Sequence, residues 1–90
     1  MLLLTYTKPL DEVDALMRPH MKWLNEHYAA GRFVVSGRRI PRTGGVILAR
    51  GDDRAEIEAL AANDPFVRGG VATVEVIQFR ASQTAPGFDA

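Results

Sequence analysis

The stretch RFVVSGRRIPRTGGVILAR, residues 32–50, decides the fold. Its two ends, RFVVSGRRI and GVILAR, are short and rich in β-branched and apolar residues. Between them Pro41 to Gly45 supplies turn chemistry, so the stretch reads as two strands joined in a hairpin. On the N-terminal side lies a helical pattern. Val13, Leu16, Met17, His20, Leu24, His27 and Tyr28 recur at three- and four-residue spacings and share one face. Asp11 is the expected N-cap of that helix, which runs to Ala30 with Gly31 as its left-handed stop. On the C-terminal side, Asp53 and Glu56 form a capping box for a second helix, RAEIEALAAN, with Ile57, Leu60 and Ala61 as its apolar stripe. Farther out, MLLLTYT at the N-terminus and VATVEVIQFRA near the C-terminus read as buried strands. The order is therefore β-α-β-β-α-β, the split βαβ pattern of the ferredoxin-like fold, in which two helices cover one face of a four-stranded antiparallel sheet. The fourth strand sets Ala72, Val74 and Val76 on one face and Ile77 and Phe79 on the other. Because both faces read as apolar, the second is expected to be buried as well, against a second copy of the chain.

Ninety residues make one domain, and a chain this short buries only roughly 60–70% of its unfolded surface. Lys plus Arg and Asp plus Glu both number 11, so there is no basic excess of the kind that nucleic-acid binding needs. The lack of cysteine removes disulfide and thiolate chemistry, and fits a reducing compartment. No membrane-spanning run or signal-peptide pattern is found, and the expected location is cytoplasmic. Residues 1–80 are expected to form the domain and residues 81–90, which lack periodicity, a C-terminal tail.

The residue that breaks the pattern is His20, an ionisable ring on an apolar helix face. Two readings stand. It is a packed histidine with one nitrogen bonded locally, or a general acid or base, for which an ordinary pKa near 6.5 is suited. The second role needs a partner to fix the ring's tautomer. Asp64 is the candidate, because it continues the stripe of the second helix seven residues after Ile57. It equally reads as an N-cap with Pro65 at the first helical position, and the two roles are compatible. His27 is a helix-dipole partner rather than a metal ligand, since seven residues of helix separate it from His20 by about 10 Å. No metal or cofactor is expected. Ser36 lacks the G-x-S-x-G context of a nucleophile and reads as a cavity-lining hydroxyl or an ordinary strand residue. Arg38, Arg39 and Arg42 cluster at the hairpin, either as a solvated end or, through Arg38, as a grip for a substrate carboxylate. Gly44-Gly45 and Gly69-Gly70 read as turns, not phosphate loops.

The segments HMKWL (20–24), GRFVVSG (31–37) and NDPFVRGGV (63–71), in this order and at these separations, resemble the YciI-like (YCII-related) family. The resemblance extends to about Arg80. It implies a ferredoxin-like fold in a dimeric assembly of the α/β-barrel type, a homodimer or higher oligomer. It also implies an active site centred on a His and an Asp, which here are His20 and Asp64. One branch of the family is associated with dehydrochlorination of an aromatic catabolite, a lyase-type proton chemistry. The expected function is thus a cofactor-free lyase- or isomerase-like enzyme. In it His20 and Asp64 transfer a proton on a small organic, carboxylate-bearing substrate, with Ser36 and Arg38 contacting that substrate. A non-catalytic domain that binds a small metabolite, or a structural dimeric domain, is the competing reading.

Overall fold

A computed structural model describes residues 1–88, so the last two positions of the expected 81–90 tail lie outside the described residues. The elements are β1 (Leu2–Tyr6), α1 (Leu10–Asp14), α2 (Met17–Ala29), β2 (Phe33–Arg38), β3 (Gly44–Ala49), α3 (Arg54–Ala62), α4 (Pro65–Arg68) and β4 (Ala72–Val76). The class is α+β with one four-stranded antiparallel sheet, ordered β2-β3-β1-β4. β1 sits inside the sheet because its Leu2 and Leu4 can be buried by neighbours on both sides. Leu2 pairs with Ile47 of β3 and Val76 of β4, and Leu4 pairs with Gly45 and Val74. The same face carries Phe33, Ala49 and Ala72, and against it lie Val13, Trp23, Leu24, Leu60, Ala61 and Phe66 from the helices. Among the described residues no helix is long and apolar enough to cross a membrane.

The expected dimeric barrel-type assembly is corrected by this sheet. The sheet is open, with β2 and β4 as its edges, and does not close on itself. The second face of the sheet is mixed. The fourth strand ends at Val76, not near residue 81, and the positions facing away from the core within it are Thr73 and Glu75, both exposed. Ile77 still exchanges backbone bonds with Met1, but Phe79 lies beyond the ladder and is 60% exposed. Thr5 joins Thr73 and Glu75 on that face beside the half-buried Leu3, Val46 and Leu48. Val35, which pairs with Leu48, is 56% exposed.

The first helical region also departs from expectation. It is two helices, broken at Ala15–Leu16, and Pro9 rather than Asp11 precedes the first. The cause is Pro19. In an uninterrupted helix its ring would meet the carbonyl of Ala15 and its missing N–H would leave that carbonyl unpaired. Restarting at Met17 puts Pro19 in the first turn, where no N–H is needed. At the other end Gly31 behaves as expected. Its φ is +76°, its N–H bonds Tyr28 O, and the Arg32 N–H bonds His27 O, which together form a Schellman motif. Asp53 caps α3 by accepting from the Ala55 and Glu56 N–H groups.

Candidate active site

The restart of α2 aims His20 at the segment Asp64-Pro65-Phe66, and each of these three residues does something to the imidazole or its support. Asp64 caps α4: its Oδ1 accepts the Phe66 N–H at 2.9 Å. Pro65 occupies the first helical position, where it has no N–H to leave unpaired. Phe66 lays its ring against the His20 ring, with centroids 3.8 Å apart and planes within 8°. Asp64 Oδ1 also receives His20 Nδ1 at 2.7 Å. Since that oxygen already accepts a backbone N–H, the imidazole nitrogen is the donor. Neutral His20 therefore carries its proton on Nδ1 and has its lone pair on Nε2. Asp64 is 1% exposed and His20 9% exposed, so the bond is shielded from water and neither side chain is free to turn. Asp64 Oδ2 and Trp23 Nε1 are buried with no hydrogen-bond partner among the described residues.

His20 lines a cavity of about 280 Å³ between α2 and the inner face of β1, β2 and β3. Its walls include Leu4, Leu24, Ile47 and Phe66, and its polar groups come from Tyr6, His20, Ser36, Arg38 and Arg42. The space exists because the strand positions opposite the helix are small. Gly45 stands beside Leu4 in β3, and Ser36 stands beside Ile47 in β2. Gly44 and Gly45 are accordingly strand residues rather than the turn expected from sequence. A Cβ on Gly44 would come within 1.8 Å of the Leu4 carbonyl oxygen, so only glycine permits this approach of β3 to β1.

Ser36 lines the cavity and its Oγ shares a 2.6 Å hydrogen bond with the Tyr28 hydroxyl. Arg38 also lines it, from the end of β2, and is exposed. Three contributors escaped the sequence reading. Phe66 was part of a motif with no role attached, Tyr28 was one of several apolar-face positions, and Arg42 was one of three hairpin arginines. Arg42 donates to Asp14 of α1 at 2.5 Å and lies 5.9 Å above the Tyr6 ring centroid. That hydrogen bond, aided by the charges of Arg42 and Arg38, holds the Asp14 carboxyl below its usual range. His27 stays outside the site. It packs on Trp23 and Phe33, and its Nδ1 accepts from Arg32 at 3.5 Å. It lies in the last turn of α2, and burial first, then the Arg32 charge, pushes its pKa down. No cluster of three or more His, Cys, Asp or Glu side chains that could hold a metal ion occurs among the described residues.

The chain matches the YCII-related domain family over residues 1–80. No curated protein matches the sequence. Among solved structures, the chain is similar to 5-chloro-2-hydroxyhydroquinone dehydrochlorinase (TftG) from Burkholderia phenoliruptrix AC1100, in complex with 2,5-dihydroxybenzoquinone. The TM-score is 0.65 and the identity 21%, with 87% of this chain and 94% of that chain covered. At this identity the likeness speaks to the fold.

Proposed function

The chain belongs to the YCII-related domain family, and from that premise we propose that it is a small enzyme of lyase or isomerase type in which His20 transfers a proton on a small organic anion. Asp64 orients His20 and Ser36 and Arg38 contact the substrate. The observation that carries this reading is the 2.7 Å bond between His20 Nδ1 and the buried Asp64 Oδ1, on a ring that also borders a cavity. A packed histidine would also need an acceptor for its buried N–H, so it is the border with the cavity that favours the catalytic reading. With Nδ1 engaged, Nε2 is the nitrogen left for a substrate. The Phe66 ring keeps the imidazole plane fixed, which favours one direction of proton transfer. The cavity supports the substrate class. Its charged and titratable walls are Arg38, Arg42, His20 and Tyr6, and no carboxylate lines it. Its volume suits a ligand of about one ring, at the lower edge of the roughly 300–1,000 Å³ of small-molecule pockets. The structural relative's bound quinone is a ligand of that size, and its dehydrochlorination falls within this chemistry.

The test uses a panel of small hydroxylated quinols and 2-oxo acids, including 5-chloro-2-hydroxyhydroquinone, incubated with the protein in D2O. Proton NMR follows loss of exchangeable C–H signals, and an ion-selective electrode follows chloride. The wild-type protein accelerates one of these, and His20→Gln slows it by about 10²–10⁴-fold, the usual contribution of a positioned acid or base. Equal rates for wild type and His20→Gln would refute the assignment.

A further inference from the structure

We propose that Arg42, held by Asp14, is the anion-recognition residue of the cavity and selects ligands that carry a carboxylate or an equivalent charged oxygen. The proposal rests on the reading of the cavity as a ligand site, and names the group that gives it its charge preference.

Arg42 leaves the turn between β2 and β3 and reaches back to line the same cavity as His20. Its position is defined from two sides, by the 2.5 Å bond to Asp14 and by the Tyr6 ring beneath it. An arginine tethered in this way loses less freedom when it grips a ligand than one waving in solvent. A guanidinium has five N–H donors, and the hydrogen bond to Asp14 comes from one terminal nitrogen. Tyr6 takes a further hydrogen bond, and the donors that neither partner uses remain for a planar oxyanion. Arg38 stands close enough for its charge to act on Asp14 as well, so two cations share one carboxylate at this end of the cavity. The local sum is one net positive charge, in a chain whose formal net charge is +0. The preference is therefore built at the site rather than spread over the protein. Asp14 does not line the cavity. It is a positioning residue, and it also keeps the two arginines from presenting their full charge.

Benzoate and benzamide test this, being nearly the same shape and differing in charge. Both are titrated into the full chain at low salt, with dissociation constants read from ¹H–¹⁵N shift changes at Ser36, Gly37 and Gly45. Wild type binds benzoate on the order of tenfold more tightly than benzamide, the gain of one charge-assisted hydrogen-bonded pair. Arg42→Gln lowers the ratio by about threefold or more, to what Arg38 supports, while benzamide binding is retained, which also shows that the cavity is intact. Asp14→Asn keeps an oxygen to accept from Arg42 but removes a negative charge. It raises benzoate affinity about two- to fourfold and leaves benzamide unchanged, a result that a merely structural Asp14 would not produce. Equal wild-type affinities, failure of benzoate to bind, or a ratio that survives Arg42→Gln overturns the proposal. His20→Gln separates the two readings. It tests the proton-transfer rate of the preceding reading, whereas the benzoate-to-benzamide ratio in Arg42→Gln tests this one, so either can fail while the other stands.

Discussion

The shared oxygen of Asp64 makes a prediction whose size follows from the geometry. Oδ1 makes two bonds, one to the Phe66 N–H and one to His20 Nδ1. Asp64→Ser keeps the first, since serine caps helices about as well as aspartate. Its hydroxyl is too short to keep the second, and His20 Nδ1 is left buried. The loss of a hydrogen bond to a charged group is roughly 1.5–3 kcal/mol, with some relief from removing the unpartnered Oδ2. A net destabilisation of about 2 kcal/mol is expected. Asp64→Ala loses the cap as well and should stand about 1 kcal/mol lower still. For a domain of this size each kcal/mol shifts Tm by roughly 4–8 °C, so the serine variant should melt about 8–16 °C below wild type. Urea unfolding followed by the fluorescence of Trp23, buried beside His20, gives the free energies, provided that the slopes agree. The decisive comparison is made in His20→Leu. There Asp64→Ser should be neutral or stabilising, because it removes a buried carboxylate that has lost its partner. If Asp64→Ser has the same effect in both backgrounds, within about 0.5 kcal/mol, the two side chains are uncoupled and the reasoning fails.

Two further outcomes follow from the packing and the charges. Gly44→Ala forces a Cβ onto the Leu4 carbonyl, a backbone atom that cannot rotate away, and should cost about 3 kcal/mol or more in chemical unfolding. Gly37→Ala, with nothing within 4 Å of the new atom, should stay within about 0.5 kcal/mol. His27 has a folded-state pKa below its ordinary 6.5 because of burial and the Arg32 charge. As pH falls below about 6.5 the unfolded chain takes up a proton there before the folded chain does, so stability is full above that pH and declines beneath it. Urea midpoints measured from pH 7.5 to pH 5 should fall, and should fall less in His27→Gln; an equal slope in the variant contradicts the assignment.

The parts of the fold legible in the sequence are those whose signals are local. Gly31 announces a left-handed stop, Asp53 a cap, and residues 32–50 a hairpin, because each depends on the backbone of a few neighbours. The site was half legible for the same reason. His20 stood out as an ionisable residue on an apolar stripe, and Asp64 as an acid continuing another. What joins them spans 44 positions and has no local trace. The Arg42–Asp14 bond spans 28 positions and brings together a turn and a helix that share no pattern. Two errors came from signals that were present and outweighed. Pro19 dictates a break, but the apolar spacing through Leu16 and Met17 reads as continuous. Ile77 and Phe79 extend the apolar alternation of β4 past Val76, where the assigned strand ends. Alternation alone does not mark where a strand leaves its sheet.

The Asp-Pro-Phe segment explains why the candidate site and the fold are hard to separate in this chain. A carboxylate that must hold an imidazole is best attached to something that cannot move. Here the attachment is its own cap bond, two residues along, to the N–H of Phe66. The same residue carries the ring that stacks on His20 and is 2% exposed in the core. Position 65 must then be filled without adding an N–H that has no acceptor, and proline does this while fixing φ for the turn. The three residues therefore set the direction, the plane and the rigidity of one imidazole. They do so in a four-residue helix too short to be stable alone, which is held by its packing between α2 and β4. Replacing Phe66 by leucine isolates the stacking from the rest. The cap and most of the burial survive, so stability should fall by only about 1–2 kcal/mol. The flat support under His20 is lost, and the rate of proton transfer should drop although the protein stays folded. A rate unchanged in a folded Phe66→Leu protein would leave Asp64 as the sole source of the orientation.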